Sequence, residues 1–161
     1  MCYNAYIRGE YCVKRKVVKG EAVMAGEVLR ALHTGISVRD MDEAVKWYDK
    51  WLGFKPVYDQ GYVPPLKAHL YFIEDKNGYQ IELFKYDDPK PTPEDRLTPN
   101  SDLQTCGTKH LALAIDDADA FKEKFLAEGG KIAHEVNMGN DHVLFILDPS
   151  GTLIELIQQP K

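Results

Sequence analysis

Two histidines and two glutamates occur at matched positions in the sequence. Glu82 and Glu155 lie in two copies of the motif D-x-x-G-x-x-I-E-L, at 75–83 and 148–156. Upstream of each copy a histidine, His33 or His110, opens a short apolar run. The histidine precedes its glutamate by 49 residues in the first copy and by 45 in the second. A repeat of this length indicates that one supersecondary unit occurs twice in the chain.

These four residues could together bind a metal ion. A carboxylate flanked by apolar residues within a strand is unfavourable unless it is paired or coordinated. If two like units pair about a pseudo-twofold axis, each brings one imidazole and one carboxylate to the same point. The resulting nitrogen and oxygen ligands balance the charge of a divalent ion and suit Ni²⁺, Co²⁺, Mn²⁺, Fe²⁺ or Zn²⁺. A six-coordinate ion would keep two positions for adjacent substrate oxygens. Taken singly, each residue is more often structural or exposed.

The surrounding pattern predicts how these residues are positioned. The segment around His33 alternates as a strand does. Asp40 is then predicted to cap a helix, with Glu43 completing a capping box, and Gly53 ends that helix. Three further β-rich pieces follow, and the same order of one strand, one helix and three strands recurs in residues 108–161.

We therefore divide the chain into four segments. Residues 1–30 form an N-terminal extension without a counterpart in the repeat. The first module is 31–87, residues 88–107 are a linker with several prolines, and the second module is 108–161. Both modules together make one domain of ordinary size.

Composition excludes several classes of protein. The 161 residues are 44% hydrophobic, which is enough for a core, and the net charge of −5 argues against a general nucleic-acid binder. The three cysteines lack a CxxC pair, so neither a disulfide framework nor a thiolate metal site is predicted, and a reducing cytoplasm is the simpler interpretation. No signal peptide or membrane-spanning run is apparent, so we expect no membrane partner.

The motifs resemble those of the vicinal oxygen chelate superfamily, which contains glyoxalases, bleomycin-resistance proteins and extradiol dioxygenases. The opening H-x-G-I-x-V, the helix ending in L-G and the D-x-x-G-x-x-I-E-L ending carry this resemblance over residues 31–158. It implies an α+β fold in which two βαβββ modules form an open eight-stranded barrel-like sheet with helices outside. It also implies that His33, Glu82, His110 and Glu155 are the metal ligands, and that the protein is a homodimer with its site within one chain or across two.

Among family members, the chain is most similar to glyoxalase I and to methylmalonyl-CoA epimerase-like enzymes. The resemblance implies a lyase or isomerase that transfers a proton next to a carbonyl of a small molecule through a metal-bound enediolate. Glu155 is the expected base, with Glu82 as the second catalytic carboxylate. Bacterial glyoxalase I enzymes place Arg and Asn at positions occupied here by Ser37 and Tyr86, so we expect poor use of glutathione.

Two other functions of the fold stay open. An extradiol dioxygenase would bind Fe²⁺ through His33, His110 and Glu155, although an ionised Glu82 argues against that triad. A resistance-type protein would bind its ligand without catalysis, and such proteins generally lack the complete ligand set.

Several other side chains could belong to the site. His69 and His142 each lie six residues before the repeated Asp, and we favour a packing role for both. His134 has no histidine at the equivalent position. Three aromatic residues are interpreted as pocket wall, with core as the alternative: Tyr71, Phe84 and Phe145.

Overall fold

The computed structural model describes residues 28–138 and 141–159, so nearly all of the predicted N-terminal extension lies outside the described residues. All elements below belong to one compact unit, residues 32–161. The division of the chain into four segments stays a prediction.

Each module has one helix and one four-stranded mixed sheet. The first contains β1 His33–Ser37, α1 Met41–Leu52, β2 Lys55–Val63, β3 Ala68–Glu74 and β4 Gln80–Tyr86. The second contains β5 Leu111–Ile115, α3 Ala118–Ala127, β6 Lys131–Met138, β7 Asp141–Leu147 and β8 Leu153–Gln158.

The two sheets have the same topology. Their strand orders are β1-β4-β3-β2 and β5-β8-β7-β6, with β1 parallel to β4, β5 parallel to β8, and the other neighbours antiparallel. The predicted α+β fold with two βαβββ modules is therefore confirmed. The eight strands form two separate sheets, which do not close into a barrel.

The helix boundaries follow from the capping residues. The Asp40 side chain accepts a hydrogen bond of 2.8 Å from the backbone N–H of Glu43, as the capping box predicts. At the other end Gly53 adopts a left-handed conformation (φ 73°), which glycine tolerates without steric penalty. Asp117 caps α3 in the same way through the N–H of Ala120.

The segment between the modules has more structure than its proline content suggests. It contains a 3-10 turn, Glu94–Arg96, and the one-turn helix α2, Pro99–Asp102. The carboxylate of Asp102 is 1% exposed and pairs with Arg96 (3.1 Å) and with Lys109 (3.4 Å). Because Lys109 directly precedes His110, this buried ion pair holds the entry to the second module in place.

One hydrophobic core serves both sheets. It combines fully buried residues of the first module, such as Tyr48 and Leu83, with Phe125 and Leu144 of the second. Helices α1 and α3 contact each other through Trp51 and Phe125, whose ring centroids lie 4.9 Å apart. The side of each sheet that carries its helix therefore packs into the shared core, and we call it the helix-bearing side. No described helix has the length and hydropathy needed to cross a bilayer.

Candidate metal centre

Strand alternation places both glutamates on the faces opposite the core. Glu82 lies in β4 between Ile81 and Leu83, which are fully buried in the core. Glu155 lies in β8 between Ile154 and Leu156, which are 0% and 2% exposed. Successive side chains of a strand point to opposite faces. We call the two faces that carry the glutamates the open faces.

The repeated Asp and Gly form the turn that starts each glutamate-bearing strand. Asp148 Oδ1 accepts hydrogen bonds from the backbone N–H groups of Ser150 (2.8 Å) and Thr152 (2.7 Å). Asp75 makes the equivalent bonds in the first module. The glycine of each motif has positive φ, 86° at Gly78 and 89° at Gly151. The motif is therefore structural, and it sets the register of the strand that presents the glutamate.

Each histidine meets the glutamate of its own module. Nε2 of His33 lies 3.0 Å from Oε2 of Glu82, and Nε2 of His110 lies 3.1 Å from Oε2 of Glu155. In the second pair each side chain is 18% exposed, while His33 and Glu82 are 36% and 16% exposed. Among the described residues neither carboxylate pairs with a lysine or arginine. The sequence prediction that each His and its Glu lie together is consistent with these distances.

The geometry of both pairs fits two ligands of one ion. Neither contact is aligned as a hydrogen bond within the described chain, unlike the contact between His142 and Glu135. Two ligand atoms that bind an ion at right angles, each about 2.1 Å from it, lie about 3.0 Å apart. A partly buried carboxylate without a lysine or arginine partner also favours a bound cation.

The four predicted ligands do not meet within one chain. Among residues 28–138 and 141–159, no three His, Cys, Asp or Glu side chains form a group that could hold a metal ion. The structure brings His33 to Glu82 and His110 to Glu155, but it keeps the two pairs apart. A single chain therefore presents two separate His–Glu pairs, and we call each pair of candidate ligands a half-site.

An aromatic ring orients the histidine of each half-site. The ring of His33 meets Phe72 edge-on (5.8 Å between centroids), and the ring of His110 meets Phe145 in the same way (5.3 Å). Nδ1 of His110 is the only buried side-chain nitrogen or oxygen in the described chain without a hydrogen-bond partner. Because no acceptor orients the His110 ring through Nδ1, its edge-on packing against Phe145 is what holds its orientation.

Sequence reasoning missed Phe72. It lies directly opposite Glu82 in the antiparallel register, as Phe145 lies opposite Glu155. The interpretation of Tyr71 as pocket wall is wrong, because Tyr71 packs against the core on the other side of β3. The signal was present in the repeat, since each phenylalanine precedes its glutamate by ten residues.

The other side chains singled out in the sequence lie either on the open face or on the helix-bearing side of their sheet. His142 lies on the helix-bearing side and is 6% exposed, with Nε2 2.9 Å from Glu135, so its favoured packing role agrees with its position. His69 makes the equivalent contact with Asp59 (2.6 Å). Phe84 lies on the open face, where a Cβ on Gly35 would approach its ring to 3.0 Å. Gly35 thus leaves room for that aromatic ring.

One buried hydrogen bond joins the two modules behind the site. The hydroxyl of Tyr48 donates to Oδ2 of Asp148 at 3.0 Å. Burial raises the pKa of Tyr48 well above its ordinary value, and the neighbouring Asp148 charge raises it further. Burial also raises the pKa of Asp148, although hydrogen bonds from Thr152, Tyr48 and Ser150 oppose that shift.

Comparison with known proteins agrees with this architecture. The family model of the Glyoxalase/Bleomycin resistance protein/Dioxygenase superfamily matches residues 30–156. The probable lactoylglutathione lyase of Vibrio parahaemolyticus is 30% identical over 141 residues, which cover 82% of this chain and 92% of that protein. The lactoylglutathione lyase of Escherichia coli O157:H7 is 32% identical over 136 residues, covering 81% and 93%.

Among solved structures, the glyoxalase family protein from Bacillus cereus has a TM-score of 0.67 at 18% identity and covers 87% of this chain and 100% of its own. That likeness concerns the fold, whereas the similarity to the lactoylglutathione lyases supports a lyase of the glyoxalase type. The chain belongs to the Glyoxalase/Bleomycin resistance protein/Dioxygenase superfamily.

Proposed function

We propose that this protein is a divalent-metal-dependent lyase or isomerase of the glyoxalase type. Its reaction would transfer a proton next to the carbonyl of a small α-oxygenated compound or acyl thioester. The observation that carries the proposal is the pair of repeat-related half-sites, each with one His and one Glu about 3 Å apart. We also propose a cytoplasmic location, in line with the absence of a CxxC pair from the sequence.

We further propose that a homodimer completes the site. The two half-sites lie on the open faces, which the shared core of one chain does not cover. A twofold axis would place the open face of the first sheet of one protomer against the open face of the second sheet of its partner. His33 and Glu82 of one chain would then face His110 and Glu155 of the other. Two such composite sites would form per dimer, each with two imidazoles and two carboxylates.

Glu155 is the residue that we assign as the base. It lies within β8, so the strand gives its carboxylate a fixed position in the half-site. It would take the proton next to the carbonyl and return it to the neighbouring carbon or to the other face. A divalent ion, when bound by the four residues, supplies Lewis-acid polarisation of the substrate oxygens. Phe72 and Phe145 would help to keep water from the reacting carbon.

Mixing two inactive variants tests whether the site is shared. His33→Ala damages one half-site, and His110→Ala damages the other. A heterodimer of the two variants contains one composite site with all four natural ligands. After random subunit exchange, the mixture should therefore recover about a quarter of the wild-type metal content and activity. Metal content is measured by mass spectrometry after dialysis, and activity with the same samples.

The control mixture combines two variants damaged in the same half-site, His33→Ala and Glu82→Ala. It should recover neither metal nor activity, because no composite site in it is complete. If the first mixture also stays without metal while wild-type protein binds about one ion per chain, the shared site is wrong. A well-folded wild-type protein without affinity for any divalent ion would refute the enzymatic proposal itself.

The roles of the carboxylates are tested by amide substitutions. Glu155→Gln keeps an oxygen that can coordinate but cannot accept a proton, and loss of a general base typically lowers the rate by ~10²–10⁴-fold. Glu82→Gln should lower it much less. Turnover of both variants is compared at equal metal loading. An inactive Glu82→Gln beside an active Glu155→Gln would reverse the assignment.

The substrate class is tested by two assays. Because Ser37 and Tyr86 stand where bacterial glyoxalase I enzymes have Arg and Asn, methylglyoxal with glutathione should be turned over poorly. Metal-dependent exchange of a substrate α-proton with solvent deuterium should instead be observed with small α-oxygenated thioesters. Rapid formation of lactoylglutathione would contradict this preference, and oxygen uptake with catechols and Fe²⁺ would support the dioxygenase alternative.

A further inference from the structure

His134 differs from the other four histidines in its contacts. His33, His69, His110 and His142 each lie within 3.1 Å of a carboxylate oxygen. Within the described chain, His134 has no hydrogen bond or ion pair. Nδ1 of His110 is the only buried side-chain nitrogen or oxygen there without a partner, so neither ring nitrogen of His134 is fully buried. Its capacity to donate and accept hydrogen bonds is therefore unused in the free chain.

The register places His134 on the open face. In β6 it lies directly opposite Phe145, which in turn lies opposite Glu155. A register shift between Ile132 and His134 brings it to this face, which simple alternation along β6 does not predict. The tilted ring of His134 lies 6.2 Å from the ring of Phe145, and Phe145 contacts His110. The ring of Phe145 thus lies between His134 and the half-site formed by His110 and Glu155.

The equivalent position of the first module carries a different side chain. Tyr58 lies opposite Phe72 after a similar register shift and is tilted against that ring at 6.3 Å. The two half-sites thus share His, Glu and Phe. They differ in the residue that lies opposite the Phe on the neighbouring strand, which is a tyrosine in the first module and a histidine in the second. A substrate in a composite site would meet different groups at its two ends.

We infer that His134 binds an acceptor oxygen on the part of the substrate that extends away from the reacting carbon. This inference rests on the proposed function, because it takes the reacting oxygens to lie at the half-sites. The substrate arm would run along Phe145, and the free N–H of His134 would donate to a carboxylate or carbonyl oxygen on that arm. His134 would then select substrates with such a group and set their direction in the site.

Two hydroxamates that differ only in their arm test the inference. Acetohydroxamate presents two vicinal oxygens without an arm, while succinomonohydroxamate adds a carboxylate two methylene groups away. Binding of both to the full-length protein loaded with Ni²⁺ is measured by titration calorimetry. His134→Phe keeps a ring against Phe145 but removes the donor. Because a hydrogen bond to a charged group contributes about 1.5 kcal/mol or more, this variant should bind succinomonohydroxamate roughly 10-fold more weakly.

The affinity for acetohydroxamate should stay within about twofold in the same variant. His134→Gln restores an N–H donor and should regain part of the affinity for the longer probe. The matched control is His69→Phe, the same substitution on the helix-bearing side of the first sheet, which should change neither affinity. Equal loss for both probes, or no loss for either, would overturn the inference. If acetohydroxamate does not bind the loaded wild-type protein, the proposed function fails as well.

Discussion

Replacing Tyr48 by phenylalanine tests whether the buried bond between the modules stabilises the fold. Tyr48 is fully buried, and its hydroxyl donates to Asp148, which is 4% exposed. Because burial and the Asp148 charge both raise the pKa of the phenol, the hydroxyl keeps its proton and can donate throughout the accessible pH range. Phe125 occupies the matching helix position in the second module, so the α1 position itself tolerates a phenyl ring.

The expected loss follows from what the substitution leaves behind. Tyr48→Phe preserves the ring and its contacts with Trp47 and Phe54. It removes one donor from a buried carboxylate, whose remaining hydrogen bonds come from Ser150 and Thr152 of its own turn. A hydrogen bond to a charged group contributes about 1.5–3 kcal/mol, so the free energy of unfolding should fall by about that amount. For a domain of this size the melting temperature should drop by about 5–9 °C.

Urea unfolding followed by far-UV circular dichroism measures this change. Protein concentration is held constant and metal is removed with EDTA, since ligand binding and dimerisation both shift apparent stability. Tyr62→Phe is the matched control, because the Tyr62 hydroxyl donates to Asp87 (2.8 Å) at the surface. That variant should unfold at nearly the wild-type urea concentration. If both variants unfold at the same urea concentration, the buried bond between the modules does not stabilise the fold.

Two further predictions concern Asp148 and Gly130. Burial is the largest cause of the raised pKa of Asp148, so the folded state holds the Asp148 proton to higher pH than the unfolded state does. This tighter proton binding stabilises the fold at low pH, and the stabilisation is lost as the pH rises through the folded pKa. Asp148→Asn lacks this loss, so urea titrations should show its stability improving relative to wild type as the pH rises above about 4. In Gly130→Ala the new Cβ would lie 2.5 Å from ring atoms of the fully buried Phe125. It should destabilise the fold by about 1–3 kcal/mol, and an unchanged urea midpoint would contradict this packing.

Much of the local structure could be predicted from the order of residues. Alternation placed Glu82 opposite the core, and the short-range pattern of Asp40, Glu43 and Gly53 predicted both ends of α1. These features depend on neighbours a few residues apart, so the sequence pattern expresses them directly. The internal repeat added the pairing of each histidine with its glutamate, because the same module topology applies twice.

The positions of Phe72 and His134 could not be predicted with the same reasoning. Both depend on which residues of neighbouring strands lie opposite one another. The register shifts in β2 and β6 change the face of the following residues, and no simple period marks those shifts. Phe72 had a signal in the repeat, but His134 corresponds to a tyrosine and therefore has no identical partner in the sequence.

The separation of the two half-sites depends on long-range packing. The sequence left open whether the four predicted ligands meet within one chain or across two. Contacts such as Trp51 with Phe125 and Tyr48 with Asp148 join the helix-bearing sides of the modules. Periodicity specifies which side of its own sheet a residue occupies. It does not specify which sides of two sheets meet, because that depends on the fit of side chains distant in sequence. The open faces, and with them the proposed need for a second protomer, therefore emerge only from the folded chain.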